Sequence, residues 1–203
     1  MVTLTGTFES TNLALEAARR RLAAESCALV VVDIQEKLLP PIHERERLVS
    51  NVQMLLRLAG ILELPVLVTT QYARGLGPTV EEISSLLPSN AEPVDKVEFS
   101  CFGSERFCDA VERLPGRRDA VIICGMETHI CVMQTALGAL NRGLAVHVPA
   151  DAVGSRSLFN WQIGLDRMKA AGAVITSTET AVYELMRASG TVVFKQMLPY
   201  LKN

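Results

Sequence analysis

Uninterrupted apolar runs alternate with amphipathic stretches along this chain. The runs at 27–32 and 120–124 contain no charged residue, which is typical of strands buried on both faces of a parallel sheet. Shorter runs predict four more strands, at 65–70, 94–100, 144–148 and 173–176. Between them, apolar residues recur at helical spacing. This spacing predicts helices at 9–25, 44–60, 79–87, 104–114, 130–140, 158–171, 178–188 and 192–201.

The alternation of strands and helices predicts an α/β fold. Its connections should be right-handed crossovers, which gives a mostly parallel sheet with helices on both faces, a three-layer αβα sandwich. The 203 residues suit one domain with a sizeable core, and no shift in composition marks a linker. We therefore divide the chain into an N-terminal helical extension, 1–26, and a single domain, 27–203.

Composition and charge exclude several classes of protein. Hydrophobic residues make up 49% of the chain and the mean hydropathy is +0.24, so the chain is globular rather than disordered. A net charge of -2 provides no basic surface for nucleic acid. No apolar run approaches the roughly 20 residues that cross a bilayer, and the polar start at 1–10 is unlike a signal peptide. Five cysteines without a CxxC pair indicate reduced thiols in the cytoplasm.

The stretch 120–132 joins a buried strand to a helix through Gly125. The helical pattern begins near Thr128, which we predict as the N-cap. Cys131 would then lie in the first helical turn, where free backbone N–H groups and the helix dipole favour a thiolate over a thiol. This loop also lies at the carboxyl edge of the sheet, where open α/β folds bind their ligands. The sequence therefore predicts Cys131 as a nucleophile.

Two charged residues terminate or interrupt other predicted strands. Asp33 follows the first strand and Lys96 lies in the third. Because the carboxyl ends of parallel strands meet at one crevice, these side chains and the thiol could supply a proton acceptor, a stabilising cation and a nucleophile. Each also has a structural interpretation: Asp33 as a turn or cap residue, Lys96 as a surface lysine and Cys131 as a small buried side chain.

The three residues lie within short motifs that occur together in one family. Gly-Met-Glu-Thr-His-Ile-Cys-Val at 125–132, Val-Val-Asp-Ile-Gln at 31–35 and Lys96 resemble the motifs of the isochorismatase-like cysteine hydrolases. The resemblance runs from about 27 to 188. The stretches at 70–72, 75–79 and 150–157 are most similar to the isochorismatase-domain-containing hydrolases.

The resemblance implies a fold and a mechanism. It implies a six-stranded parallel sheet of Rossmann-like topology, and self-association as a dimer or tetramer. A Cys131 thiolate would attack an amide-type carbon, while Asp33 accepts the thiol proton and later activates water and Lys96 holds both charges. It also implies a cis peptide bond between Met126 and Glu127, which directs the N–H groups of Glu127 and Cys131 at the developing oxyanion.

Departures from the family pattern limit the reactions that we expect this protein to catalyse. Members that hydrolyse nicotinamide resemble metal proteins, with an aspartate and histidines after the second strand. Here the position reads Gln71-Tyr72-Ala73, so we expect no metal, no cofactor and no nicotinamidase activity. True isochorismatases resemble members without the cysteine, so Cys131 favours a C–N hydrolase, with ester or thioester cleavage also open. The residues predicted to line the substrate pocket are Gln71, Tyr72, Phe99, Phe102, Thr128 and His129.

Two other interpretations of the thiol remain open. The protein could bind a small molecule in the same pocket with an idle Cys131, or Cys131 could be oxidised rather than acylated. Helical geometry argues against a Cys–His pair of Cys131 and His129, because residues two apart do not face each other on a helix, and leaves His129 as an alternative proton carrier. We expect it to form a pocket wall or an interface.

Overall fold

The computed structural model describes residues 21–201, and their strands form one sheet. The strands are β1 (Cys27–Val32), β2 (Val66–Gln71), β3 (Val94–Lys96), β4 (Ala120–Met126), β5 (Ala145–Pro149), β6 (Val153–Gly154) and β7 (Val174–Thr176). Six of them form a parallel sheet in the order β3-β2-β1-β4-β5-β7, and the two-residue β6 pairs with β4. The predicted six-stranded parallel sheet is confirmed.

Helices cover both faces of this sheet. They are α1 (Arg45–Leu62), α2 (Ala73–Leu76), α3 (Glu81–Ser84), α4 (Glu105–Glu112), α5 (Met133–Leu140), α6 (Leu158–Ala170), α7 (Thr178–Met186) and α8 (Val192–Leu201). Alternate residues of β1 point into two separate cores, as strand geometry requires. Leu29 and Val31 pack with α1, α7 and α8, whereas Val30 and Val32 pack with α4, α5 and α6. The three-layer αβα sandwich follows from this division.

The strand order reverses between β1 and β4. From β1 the chain builds outward to β2 and β3, and then returns to add β4, β5 and β7 on the other side. Val32 and Gly125 are register partners at the carboxyl ends of β1 and β4. Gly125 has a φ of 114°, and a Cβ there would overlap the backbone of Val32. The segments that follow β1 and β4 therefore leave the sheet side by side. They do so at the kind of switch point where such folds bind ligands.

Several predicted elements are shorter than the sequence pattern indicated. β3 ends at Lys96 because Tyr72 turns β2 away from it with a φ of 43°, and the N–H of Tyr72 donates to the Lys96 carbonyl. The helix predicted at 79–87 is reduced to α3, because Thr79 pairs with Gln35 as an isolated β-bridge. Between β2 and α3 lies the single turn of α2.

The predicted N-terminal helical extension, 1–26, lies mainly outside the described residues. Within the part that the structure describes, 21–23 are not helical and Ala24–Ser26 form one 3-10 turn. The helix predicted at 9–25 is therefore wrong at its C-terminal end, and its remainder stays a prediction. Among residues 21–201, no helix is both long and apolar enough to span a membrane.

Candidate active site

Three strands bring the predicted acid, cation and thiol to the carboxyl edge of the sheet. Asp33 follows β1, Lys96 ends β3, and Cys131 lies in the π-helical turn Thr128–Val132 that follows β4. The Asp33 carboxylate and the Lys96 ammonium both act on the Cys131 thiol electrostatically. The side chains predicted as acid, cation and nucleophile are therefore neighbours.

Asp33 lies at the centre of a buried hydrogen-bond network. Its φ of 51° turns the chain sharply at the end of β1. One carboxylate oxygen, Oδ1, accepts from the hydroxyl of Thr69 at 2.7 Å, and the other, Oδ2, accepts from Nζ of Lys96 at 2.7 Å. Both side chains of the ion pair are fully buried. The interpretation of Lys96 as a surface lysine is therefore wrong, and Asp33 does more than shape a turn.

Lys96 has a second partner in the half-buried Gln71. Its ammonium donates to Oε1 of Gln71 at 2.8 Å as well as to Asp33. In the β2–β3 ladder Gln71 is the register partner of Lys96. The side chain of Gln71, predicted as a substrate contact, therefore lies against the lysine, and its contact with substrate stays a prediction.

Cys131 is only 7% exposed, and its surroundings raise the pKa of its thiol to about 12. Burial is the main cause, followed by the negative charge of Asp33, while Lys96 acts in the opposite direction and a hydrogen bond to Asp33 raises the pKa further. The expectation that the helix terminus would favour a thiolate is therefore wrong for the resting protein. Desolvation and the neighbouring carboxylate outweigh the dipole of one helical turn.

The peptide bond between Met126 and Glu127 is cis, as the family resemblance implied. The carboxylate of Glu127 accepts from Nε of Arg156 at 3.1 Å and from the backbone N–H of Arg156 at 3.0 Å. These contacts fix Glu127 to the loop before α6. The use of the Glu127 and Cys131 N–H groups as an oxyanion hole stays a prediction.

Thr128 does not cap the helix as we predicted. The turn begins at Thr128 itself, with Glu127 in the position before it and no side-chain cap. The Thr128 hydroxyl is buried and has no hydrogen-bond partner among the described residues. It therefore does not compete for the backbone N–H of Cys131. Its neighbour His129 is half-buried, and its Nδ1 lies 3.0 Å from Oγ of Ser155.

The aromatic residues predicted for the pocket lie in different environments. Tyr72 is 52% exposed and Phe99 is 55% exposed, each just beyond the end of a strand at the carboxyl edge of the sheet. Phe102 is buried in the core, where its ring meets Phe107 edge to face with centroids 5.2 Å apart. The guanidinium of Arg142 lies over the same ring. Phe102 is therefore a packing residue, whereas Tyr72 and Phe99 remain candidates.

Two site residues were not identified from the sequence. Thr69 binds Asp33, and Gln35, which is fully buried, donates to the carbonyls of Gln71 and Gly77. Thr69 and Gln71 are two apart on β2 and so share a face. The polar end of this otherwise apolar strand was a usable signal, but its partners depend on neighbouring strands.

No group of three or more His, Cys, Asp and Glu side chains within residues 21–201 could hold a metal ion. The groups around Asp33 at the carboxyl edge of the sheet are instead the Lys96 ammonium, the Cys131 thiol, the Thr69 hydroxyl and the amides of Gln35 and Gln71. This set matches acid–base and nucleophilic chemistry better than metal ligation.

Comparison with known proteins identifies the family. The isochorismatase domain model matches residues 27–180, most of the chain. The chain belongs to the isochorismatase family. It is 36% identical to mouse isochorismatase domain-containing protein 2A over 192 residues, which cover 94% of this chain and 89% of that protein. It is also 36% identical over 185 residues to the secreted isochorismatase effector Isc1 of Phytophthora sojae, which covers 90% of this chain and 88% of that protein.

Several solved structures share the fold of this chain. The MAR1 ribonuclease of Caenorhabditis elegans is 34% identical with a TM-score of 0.84, and covers 91% of this chain and 93% of its own. YcaC of Escherichia coli, described as an octameric hydrolase of unknown specificity, is 29% identical with a TM-score of 0.80, covering 89% and 93%. YcaC of Pseudomonas aeruginosa, which carries covalent acrylamide, is 28% identical with a TM-score of 0.82, covering 89% and 91%. The chain is an isochorismatase-family hydrolase.

Proposed function

We propose that this isochorismatase-family hydrolase cleaves a small amide-type C–N bond through a thioester on Cys131. The observation that carries the proposal is the fully buried Asp33–Lys96 ion pair beside the thiol. Burying two charges is costly, and a buried pair beside a nucleophile is typical of functional sites. The pair also acts on Cys101, but Cys101 is fully buried, whereas Cys131 is 7% exposed, which supports Cys131 as the reacting thiol.

The proposed reaction has two steps. Sγ of Cys131 attacks the amide carbon while its proton moves to Asp33, and Asp33 then passes this proton to the departing amine as the C–N bond breaks. In the second step Asp33 takes a proton from water, which attacks the thioester and releases the carboxylic acid and the thiol. Lys96 balances the charge of Asp33 when the carboxylate is ionised. Because the thiol pKa is about 12, proton transfer accompanies the attack rather than preceding it.

The oxyanion is assigned to two backbone donors. The N–H groups of Glu127 and Cys131 flank the turn that carries the thiol, and each such donor typically lowers the barrier by about 3–4 kcal/mol. The contacts of Glu127 with Arg156 support this assignment, because they fix the residue that supplies one of the donors.

The substrate is proposed to be small and uncharged or weakly anionic. Tyr72 and Phe99 offer exposed aromatic surface at the carboxyl edge of the sheet, and the half-buried His129 offers a polar contact. The covalent acrylamide on the P. aeruginosa relative is itself a small amide. It supports a pocket of this size in the present chain.

A panel of chromogenic small amides tests the proposal. The parent protein and Cys108→Ala should hydrolyse at least one of them, and Cys131→Ala should not. Cys108 is the matched control because it is a free, half-buried cysteine away from the ion pair. Equal turnover by Cys131→Ala would contradict the proposal. Ester, thioester and RNA substrates belong in the same panel, since one relative is a ribonuclease.

The alternative function is small-molecule binding with an idle or redox-active thiol. The raised pKa and low exposure of Cys131 are the observations that favour it. Acrylamide trapping followed by mass spectrometry separates the two functions. A hydrolase should be modified at Cys131 faster than at Cys108, whereas an idle thiol should be modified more slowly.

Two further proposals concern the partners of this protein and the compartment in which it acts. We propose that the protein self-associates, because the E. coli relative is octameric, and light scattering would measure the number of subunits. The predicted dimer or tetramer is one outcome of that experiment. All five cysteines are free, which supports a reducing compartment such as the cytoplasm.

A further inference from the structure

The side chain of Gln71 links the buried lysine to the chain beyond β3. Its Oε1 accepts from Nζ of Lys96 at 2.8 Å, and its Nε2 donates to the carbonyl of Val97 at 2.8 Å. A carbonyl can only accept a hydrogen bond, so the amide nitrogen must face Val97 and the amide oxygen must face the lysine. The orientation of the amide is therefore determined by its surroundings.

The backbone of Gln71 is fixed as well. Its N–H donates to Oε1 of Gln35 at 2.7 Å, and its carbonyl accepts from Nε2 of Gln35 at 3.1 Å. The same Nε2 donates to the carbonyl of Gly77 at 2.6 Å. The fully buried Gln35 therefore holds the backbone of Gln71 in place. The side chain of Gln71 cannot swing toward a substrate without breaking its bonds to Val97 and Lys96.

An ammonium has three protons to donate, and a buried one is costly when its protons lack acceptors. Asp33 accepts one proton of Lys96 and Gln71 accepts another. We propose that Gln71 is a positioning residue that holds the Lys96 ammonium against Asp33, rather than a substrate contact. This inference rests on the proposed function, in which Lys96 and Asp33 serve the attack by Cys131.

The test compares Gln71→Met, Gln71→Glu and the control Gln53→Met. Methionine keeps the length of the side chain without hydrogen bonding. Glutamate restores an acceptor for Lys96 but turns an oxygen toward the Val97 carbonyl. Gln53 lies on α1, where its amide donates to the exposed backbone carbonyl of Glu82. The readout is the rate at which acrylamide modifies Cys131 across a range of pH, followed by mass spectrometry.

Gln71→Met should slow the modification of Cys131 by about tenfold to a hundredfold, the effect of losing one hydrogen bond to a charged group. Its pH dependence should move to higher pH, because Lys96 lowers the pKa of the thiol and a displaced lysine lowers it less. Gln71→Glu should recover part of the rate, and Gln53→Met should match the parent. A purely structural role would lower the melting temperature without moving the pH dependence, and that result would overturn the proposal.

A second measurement separates this inference from the hydrolase function. In a ¹H–¹⁵N spectrum selective for lysine ammonium groups, a buried Lys96 bonded to Asp33 and Gln71 should give a protected signal, assigned by its loss in Lys96→Met. Gln71→Met should broaden that signal through faster proton exchange, and Gln53→Met should not. An unchanged signal in Gln71→Met would overturn the positioning role. Broadening in a protein that hydrolyses no amide would leave Gln71 as a positioning residue and refute the hydrolase.

Discussion

The Nζ atom of Lys96 lies 2.7 Å from Oδ2 of Asp33, although the two residues are 63 positions apart and belong to strands that are not adjacent. The lysine side chain crosses the end of β2 to make this contact, and neither side chain is exposed. Such a pair contributes little to net stability, but removing one partner leaves an uncompensated buried charge. The pair should therefore behave as one unit when either residue is changed.

The double variant of the ion pair should lose less stability than the sum of the losses in the two single variants. We expect Lys96→Met and Asp33→Asn each to lower the free energy of unfolding by about 3–5 kcal/mol. The double variant should lose at least about 2 kcal/mol less than the sum of the two. Urea denaturation at neutral pH measures all three values.

The exposed pair of Arg113 and Asp109, 3.6 Å apart on α4 and its C-terminus, is the control. Arg113→Met should change the free energy of unfolding by less than about 0.5 kcal/mol. Additive losses in the Asp33 and Lys96 variants would show that the two buried charges are independent.

Asp33→Asn should make Cys131 more reactive toward iodoacetamide while it abolishes amide hydrolysis. The carboxylate raises the pKa of the thiol through its charge and its hydrogen bond, so its removal should lower that pKa and increase the thiolate fraction at pH 7.5. Lys96→Met should have the opposite effect on alkylation. Peptide mass spectrometry gives both rates, with Cys108 as an internal reference. Slower alkylation in Asp33→Asn would contradict the arrangement described here.

The sequence predicts those site residues whose positions are determined by the ends of strands. Asp33 and Cys131 follow strands whose apolar runs are unmistakable, and the family motifs added Lys96. The sequence could not show that Gln71 binds the lysine, because that contact depends on the register of β2 against β3. Nor could it show the raised pKa of Cys131, because the local rule for helix termini takes no account of burial by the surrounding fold.

Gly164→Ala should displace the turn that carries Cys131. A Cβ at Gly164 on α6 would lie 2.9 Å from the backbone carbonyl of Thr128 and 3.0 Å from Cα of His129. Because these are backbone atoms, the helix or the turn must move, and we expect a loss of about 1–3 kcal/mol in stability. The rate of Cys131 modification by acrylamide should fall as well.

Gly60→Ala on α1 is the matched control, since nothing lies within 4 Å of a Cβ at Gly60. It should stabilise the protein by about 0.5–1 kcal/mol, the usual gain from replacing glycine inside a helix. Thermal unfolding should therefore shift in opposite directions for the two variants. A Gly164→Ala protein with the stability and thiol reactivity of the parent would show that α6 does not hold the turn in place.

Stability should fall as the pH drops below about 6.5, in part because of His147. This residue lies on β5 with its side chain buried, and burial lowers its pKa from 6.5 while Glu184 partly opposes that shift. The unfolded state therefore binds a proton at a pH where the folded state does not, so each unit of acidification favours unfolding by at most about 1.4 kcal/mol. His147→Gln removes this titration, and its unfolding free energy should depend less steeply on pH between 7 and 5 than that of the parent.

Glu184→Gln, which removes the opposing charge, should make the pH dependence of the unfolding free energy steeper. Parallel curves for the parent and His147→Gln would show that His147 does not cause the acid sensitivity.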